Sequence, residues 1–198
     1  MFNQTGLFFL IMNFLLIIQI SVFVIVSIFF IVISRKSLRN PSHHGFYRFF
    51  AFEYVLVLVI INIPFWFLNP FSLFQIFSWI FLVLSVVVVV PGFYILKKKG
   101  EYKNRENESV NFKFENTVKL VDTGIYKYIR HPMYASLIFL AFGTLLKYIT
   151  FIGVVLAILV FIFMIITAKI EERENITYFG SAYKDYMGKT KMFFPYIY

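Results

Sequence analysis

Two polar clusters in the C-terminal half of the chain carry side chains that could bind a charged ligand. The first is Arg130-His131-Pro132, and the second is the adjacent pair of acids Glu171 and Glu172. Proline disfavours helical conformation in the residue before it, so we expect His131 on irregular backbone. Neighbouring carboxylates repel, so the acidic pair needs a cationic partner, either a nearby arginine or a bound ligand. The alternative is a plain interfacial anchor, in which these side chains meet only lipid headgroups and nearby charges.

The composition places both clusters in a membrane protein. The 198 residues are 60% hydrophobic and 22% aromatic. Only 15% are charged, against about 25% in a soluble domain. Cysteine is absent, which excludes disulfides, thiolate metal sites and a cysteine nucleophile. The net charge of +9 lies in loops between apolar segments. That pattern is typical of contact with anionic lipid headgroups, so we expect no nucleic-acid partner.

Apolar runs predict an all-α integral membrane protein with about five transmembrane helices. We expect Pro64 to kink the second helix and Pro91-Gly92 to interrupt the third near its end. The last two helices, joined by a tight turn, should form a helical hairpin. A cytosolic amphipathic helix over 170–187, ended by Gly188, and an aromatic tail over 192–198 should follow. The predicted spans cover residues 7–33, 49–68, 71–96, 133–146 and 151–168.

The distribution of basic residues predicts the topology. Of the 19 lysines and arginines, Lys147 alone falls on one side of the membrane, and the positive-inside rule assigns the other side to the cytoplasm. The amino terminus should therefore be outside and the carboxyl terminus inside. Because Arg130-His131-Pro132 and Glu171-Glu172 are the two cytosolic ends of one hairpin, we expect them to lie close together.

Other polar residues within or beside the spans are less specific. His43 and His44 lack a carboxylate or cysteine nearby in the sequence, so we interpret them as part of a headgroup-facing loop and expect no metal site. Glu53 is either a functional acid inside the membrane or a hydrated carboxylate near its surface. Asn13 and Gln19 either bond a second helix or are harmless polar groups inside the first span.

Five short motifs follow one another in the C-terminal part of the chain, and together they resemble the isoprenylcysteine carboxyl methyltransferase family. The wider group of that family includes the phospholipid N-methyltransferases. The resemblance covers roughly residues 118–195, and the N-terminal spans match only as hydrophobic helices. The motifs are Val118-Lys119-Leu120-Val121, Gly124-Ile125-Tyr126, Arg130-His131-Pro132-Met133-Tyr134, Glu171-Glu172, and Phe179-Gly180-x-x-Tyr183-x-x-Tyr186.

The resemblance implies an S-adenosylmethionine-dependent methyltransferase with a lipophilic substrate, similar to a carboxyl O-methyltransferase, and a cofactor site without a Rossmann fold. Residues 1–96 would supply N-terminal helices, and residues 97–198 the cofactor-binding loop, hairpin and C-terminal helix, within one membrane domain. Glu171, Glu172 and Arg130 are the candidate catalytic residues. A carboxylate and tyrosine faces suit the sulfonium, and His131 or backbone N–H groups suit the carboxylate of the cofactor. The implied cofactor-binding residues are Val118, Lys119, Leu120, Val121, Tyr126, His131, Pro132, Met133, Tyr134 and Glu171.

One departure from the family leaves the methyl acceptor open among a carboxylate, an amine and a thiol. Thr167 stands where the carboxyl methyltransferases have an arginine, and Lys169 or Arg173 would replace it imperfectly. Phospholipid or other small-molecule methylation is one alternative. A second is a membrane reductase that binds NADPH through the lysine run 97–99. A third is a small membrane protein that transports or merely binds a ligand.

Overall fold

The computed structural model describes residues 4–101 and 117–195, and these residues form an all-helical bundle. Four of the described helices are long and apolar enough to cross a membrane, and the helix Pro132–Leu145 is apolar but shorter. No strand of a sheet occurs among the described residues; an isolated parallel bridge joins Ile129 to Lys191. The helices are α1 (Gln4–Ser34), α2 (His44–Asn62), α3 (Leu73–Lys99), α4 (Pro132–Leu145), α5 (Phe151–Phe179) and α6 (Ser181–Lys189).

Small residues allow the helices of the bundle to approach closely. Ala141 of α4 and Ala157 and Ala168 of α5 are buried in the core, and small side chains are the usual contact residues between helices in membranes. Helix α5 packs against α2 and α4, and α3 packs against α4. Helix α1 packs mainly on α2, and none of its most apolar stretch is buried inside the protein. Helices from both parts of the chain therefore contribute to one bundle, with α1 at its edge.

The two prolines inside predicted spans do not act as the sequence suggested. Helix α2 ends at Asn62 and a 3₁₀ turn follows over Ile63–Phe65, so Pro64 ends the helix rather than kinking it. Gln19 of α1 donates from Nε2 to the Ile60 carbonyl at 3.0 Å. That carbonyl lies four residues before Pro64, which has no N–H to offer it. Gln19 thus bonds a second helix and caps a carbonyl that proline leaves without its usual partner.

Helix α3 runs without interruption through Pro91 to Lys99, so the predicted break at Pro91-Gly92 is wrong. Gly92 instead provides close contact with α4: a Cβ atom there would lie 3.2 Å from Pro132 Cγ. The absence of a side chain at this position lets the start of α4 rest directly on α3.

The C-terminal region also differs from its prediction. Helix α5 continues beyond its predicted span to Phe179 and ends at Gly180, whose φ of +64° is rarely adopted by other residues. The predicted single helix over 170–187 is therefore divided between α5 and α6, and Gly188 lies inside α6. Met192 and Phe193 are buried rather than interfacial. The last three residues of the predicted aromatic tail, and most of the polar loop after α3, lie outside the described residues.

The predicted hairpin is present, and the side chain of Lys147 fixes its turn between α4 and α5. The Lys147 ammonium donates to Gln75 Oε1 at 3.0 Å and lies over the Trp79 ring, 3.6 Å from its centroid. Trp66 contributes a second ring at 5.4 Å. Gln75 in turn donates from Nε2 to the carbonyls of Phe65 and Lys147. This network joins α2, α3 and the hairpin at the end of the bundle opposite Glu171.

Candidate active site

The Arg130-His131-Pro132 segment has the irregular backbone expected of it. His131, with φ of −120° and ψ of 63°, precedes α4, and Pro132 occupies the first turn, where its missing N–H costs nothing. The C-terminal segment satisfies the backbone groups that lie outside the helix. The Arg130 N–H donates to the Lys191 carbonyl at 2.8 Å, and the His131 N–H donates to the Met192 carbonyl at 3.1 Å. The chain end thus fixes the orientation of both side chains.

The acidic pair meets this segment, as the hairpin prediction required. Arg130 Nε donates to Glu172 Oε1 at 2.7 Å, and His131 Nε2 lies 3.3 Å from the same oxygen. The other ring nitrogen, His131 Nδ1, lies 3.5 Å from Glu171 Oε2. Burial alone would lower the pKa of His131, but hydrogen bonding to, and the charge of, Glu171 and Glu172 outweigh it, so the pKa is raised. With both ring nitrogens facing carboxylates, His131 is set up as an imidazolium.

Arg130 also holds the end of α6. Its Nη1 group donates to the Met187 carbonyl at 3.3 Å and to the Thr190 carbonyl. Cationic side chains are favourable beside the last carbonyls of a helix, where the backbone dipole is negative. The Arg130 side chain is only 9% exposed. Its guanidinium therefore joins α5, α6 and the start of α4 in one buried cluster.

A pocket of about 620 Å³, including its open mouth, lies beside this cluster. Its described walls come from the end of α3, the segment before α4, the far end of α5, and α6. The lining residues are Leu96, Thr117, Leu120, Val121, Tyr126, Arg130, His131, Pro132, Met133, Tyr134, Glu171, Asn175, Phe179, Tyr183 and Tyr186.

Most of the residues singled out in the sequence come together at this pocket. Eight of the ten proposed cofactor residues line it; Val118 and Lys119 do not. Those two pair through their backbone N–H groups with the carbonyls of Glu101 and Gly100, which anchors the strip that leads to Leu120 and Val121. Among the three candidate catalytic residues, Glu171 and Arg130 line the pocket, whereas Glu172 lies behind them.

Sequence reasoning missed the aromatic wall that α6 contributes. The helical spacing of Tyr183 and Tyr186 predicts only the apolar face of the amphipathic helix, whereas the structure has both in the pocket lining after the break at Gly180. Tyr186 donates its hydroxyl to the Tyr126 carbonyl at 2.8 Å. Burial raises the pKa of Tyr183 and Tyr186, and nearby carboxylates add to the effect, so both phenols stay neutral. Asn175 was also missed, although its position one helical turn after Glu171 was a usable signal.

The three residues discussed as substrate contacts do not reach the pocket. Thr167 is fully buried and donates its hydroxyl to the Phe163 carbonyl of its own helix at 2.7 Å. Lys169 and Arg173 are exposed and are not among the described lining residues. The cations among the described lining residues are Arg130 and His131, and both face carboxylates.

The histidine pair after α1 is not a headgroup-facing loop, and that interpretation is wrong. His43 and His44 are 8% and 2% exposed, and both face Glu174, which is 130 residues further along the chain. His44 Nδ1 lies 2.5 Å from Glu174 Oε2. His43 Nδ1 accepts the Gly45 N–H at 3.0 Å, so in its neutral form its proton is on Nε2, which faces Glu174 Oε1 at 3.9 Å. The contacts of His44 with Glu174 join the start of α2 to α5.

The apolar helices indicate an integral membrane protein, and a pocket with polar lining residues lies at one end of its bundle. The chain matches the family model for phospholipid methyltransferases over residues 73–182, more than half of its length, and it belongs to that family. No curated protein and no solved structure matches it. The match covers α3, α4, α5 and the start of α6, which supply most of the pocket. The chain is therefore a membrane methyltransferase, and the family resemblance seen in its motifs is confirmed.

Proposed function

We propose that the pocket binds S-adenosylmethionine and that the protein transfers its methyl group to a lipophilic acceptor from the bilayer. Methyltransferases of this family generally use that cofactor. The observation that carries the proposal is the carboxylate of Glu171 in the wall of a pocket otherwise rich in tyrosine rings. A buried carboxylate and aromatic faces are what a sulfonium needs when it leaves water.

The chemistry of the lining residues fits each part of the cofactor. Glu171 would oppose the sulfonium or the ammonium, and the rings of Tyr126, Tyr134 and Tyr183 would cover the cation. Leu120 and Val121 offer apolar contact, and Asn175 offers an amide. His131 is a less suitable direct donor to the cofactor carboxylate than the sequence suggested, because both of its ring nitrogens face Glu171 and Glu172. We assign it to holding Glu171, and assign carboxylate binding to backbone N–H groups.

Methyl transfer needs positioning rather than a nucleophile from the protein. The bound cofactor supplies an activated methyl group, and the acceptor supplies the attacking electron pair. The protein must hold the two reactants in line and exclude water. Arg130 and the C-terminal segment hold the α6 wall in place, and Glu171 provides the fixed charge. This mechanism needs no nucleophilic side chain, which agrees with a chain that has no cysteine and with the absence of serine among the described lining residues.

The geometry favours an amine acceptor over a carboxylate. A carboxylate substrate requires a cation to bind it, and the cations among the described lining residues, Arg130 and His131, are already paired with Glu171 and Glu172. Thr167 offers no replacement, because its hydroxyl is bonded to its own helix. The family to which the chain belongs takes its name from phospholipids, which supports a lipid amine as the acceptor. An isoprenylcysteine-like carboxylate remains the second candidate on the strength of the motifs.

We further propose that the amino terminus lies outside the cell and that the pocket opens towards the cytosol, as the basic residues indicate. The soluble cofactor would then enter from the cytosol, and the lipid acceptor from the side. A binding role for the lysine run 97–99, which an NADPH enzyme would need, has less support. None of these lysines is among the described lining residues, and Lys99 donates to Thr123 Oγ1 at 2.9 Å.

Calorimetric titration of the detergent-purified protein with S-adenosylhomocysteine, and separately with NADPH, tests the proposal. We expect binding of the first ligand only. His131→Ala and Glu171→Ala should weaken it, whereas Asp185→Asn, an exposed acid on α6, should not. Binding of NADPH alone would contradict the proposal that the pocket binds S-adenosylmethionine. Binding of neither ligand would contradict both the S-adenosylmethionine site and the NADPH site. Incorporation of labelled methyl groups into an amine-headed lipid, and not into a prenylated cysteine carboxylate, tests the acceptor.

A further inference from the structure

The two neighbouring acids of α5 face different surroundings. Glu171 lines the pocket, whereas Glu172 is absent from the described lining, and its side chain is 8% exposed. A single oxygen, Oε1 of Glu172, accepts from Arg130 Nε at 2.7 Å and faces His131 Nε2 at 3.3 Å. Glu172 therefore reaches the pocket only through two cationic side chains that do line it.

His131 links the two acids to each other. Its Nε2 faces Glu172 and its Nδ1 lies 3.5 Å from Glu171 Oε2, while its ring stacks on Tyr134 with centroids 5.3 Å apart. The ring is therefore held between the carboxylate that lines the pocket and the one behind it. When His131 carries a proton, it neutralises part of the charge that Glu171 presents to the pocket. When it loses that proton, Glu171 presents its full charge.

We propose that Glu172 is a positioning residue that acts through His131, and that the protonation of His131 sets the affinity of the pocket for a sulfonium cation. The proposal rests on the proposed function, because it takes S-adenosylmethionine as the ligand. Glu172 supports the imidazolium by supplying the second carboxylate. A cationic ligand opposes it, so ligand binding and protonation of His131 compete. Among the described residues, the titratable groups that face His131 are Glu171 and Glu172 on α5 and Tyr134 on its own segment. Arg130 bonds Glu172, His44 on α2 acts on Glu171, and Tyr183 on α6 faces both acids.

The test compares two ligands that differ in this one charge. S-adenosylmethionine carries the sulfonium, whereas S-adenosylhomocysteine has a neutral sulfur. Both ligands have the same ammonium and carboxylate, so pH effects that act through those groups cancel in the ratio of the two affinities. Calorimetry between pH 6 and 9 should show this ratio rising with pH in the wild-type protein. In Glu172→Gln, the midpoint of the rise should fall by about one pH unit, the size of one hydrogen bond to a charged group. Asp185→Asn, which removes an exposed acid from α6, should leave the midpoint unchanged.

Three outcomes separate this inference from the proposed function. If neither ligand binds the wild-type protein at any pH, the proposed function itself fails. If both bind and Glu172→Gln weakens them equally at every pH without moving the midpoint, Glu172 has only a structural role. If the affinities for both ligands fall together as pH rises, His131 donates directly to a group the ligands share, and the positioning role is wrong.

A direct measurement keeps the inference testable where Glu172→Gln folds poorly. The chain has three histidines, so the ring signal of His131 can be assigned in ¹³C-labelled protein by comparison with His131→Asn. We expect this signal to titrate at lower pH when S-adenosylmethionine is bound than when S-adenosylhomocysteine is bound. The less disruptive variant Glu172→Asp, which moves the carboxylate away, should lower the titration midpoint of the unliganded protein. Equal midpoints with the two ligands would overturn the proposal.

Discussion

The ammonium nitrogen of Lys147 lies 3.6 Å from the centroid of the Trp79 ring, at the end of the bundle opposite Glu171. The two tryptophans of the chain both face it, and Gln75 accepts one of its protons at 3.0 Å. Lys147, the one basic residue that the predicted topology places on this side, thus holds the hairpin turn. A cation enclosed by aromatic rings stabilises a fold most when it is shielded from water.

Replacing Lys147 with methionine should destabilise the protein and leave ligand affinity unchanged. Methionine keeps the volume but removes the charge, so we expect a loss of about 2 kcal/mol from the cation–π contact and its hydrogen bond. Thermal unfolding in detergent measures the first effect, and calorimetry with S-adenosylhomocysteine measures the second. Lys169→Met, at an exposed lysine of α5, is the matched control. Equal unfolding temperatures for the two variants would contradict the prediction.

Glu171→Gln should weaken binding of S-adenosylmethionine by about 10- to 100-fold, the effect of removing one charge-assisted contact. The change keeps the shape of the side chain, so the unfolding temperature should move little. Glu174→Gln on the same helix is the control, because Glu174 faces His43 and His44 rather than the pocket. Titration calorimetry of both variants checks the result. A larger loss of affinity in Glu174→Gln would place the ligand on the wrong side of α5.

Stability should fall as the solution becomes alkaline. Burial alone would lower the pKa of His131, but Glu171 and Glu172 face it and raise the pKa above its ordinary value in the folded protein. Protonated His131 therefore favours the folded state, and this contribution is greatest where His131 of the unfolded chain is protonated as well. That stabilisation is complete below about pH 6.5 and is lost as pH rises through the folded pKa. Unfolding temperatures between pH 6 and 9 measure it. His131→Asn keeps His43 and His44, so it should lack this part of the decline, and an identical pH profile would assign the effect elsewhere.

Two glycines near the C-terminus should respond to alanine in opposite directions. Gly180 has φ of +64° where it ends α5, so Gly180→Ala should cost about 1–2 kcal/mol through backbone strain. Gly188 lies inside α6 with nothing within 4 Å of the added carbon, so Gly188→Ala should stabilise by up to about 1 kcal/mol. Thermal unfolding of the two variants provides the comparison. A gain of stability in both would show that the left-handed turn is dispensable.

The topology can be tested directly, because the chain has no cysteine of its own. We expect Ile149→Cys, in the exposed hairpin turn, to react with an impermeant maleimide in intact cells. Asp185→Cys, exposed on α6, should react only after the membrane is opened. The reverse pattern would invert the assignment of the termini. Labelling of both in intact cells would mean that the hairpin does not cross the membrane.

Much of the architecture was accessible from the sequence because apolar runs in a membrane protein are long and local. The predicted spans differ from the helices mainly at their ends, where polar residues continue the helix beyond the bilayer. α5 extends eleven residues past the predicted end at Ala168 because nothing before Gly180 interrupts its backbone bonds. The effect of each proline on its helix could not be predicted from the sequence. Pro91 is tolerated inside α3, whereas Pro64 ends α2, and the local sequence does not separate the two cases.

The site was predictable where chain order implied contact, and not where distant elements converge. The two ends of a hairpin must meet, so the sequence predicts that Arg130 and His131 contact the acidic pair, as they do in the structure. Glu174 pairs with His44 across 130 residues of sequence, and no local pattern signals that contact. The roles of Glu171 and Glu172 could not be separated either, because adjacent helix positions point about 100° apart and only the packing tells which one meets the pocket.

Helix α5 connects the hairpin turn to the acidic pair without a break. From Phe151 to Glu171 it rises about 30 Å, at 1.5 Å per residue, which equals the thickness of the hydrocarbon core of a bilayer. In the proposed topology the turn at Lys147 lies at one membrane surface, and the length of this helix then sets the depth of the Glu171 carboxylate at the other. Lengthening or shortening this segment, or changing the thickness of the host membrane, would move that carboxylate relative to the plane in which lipid headgroups lie.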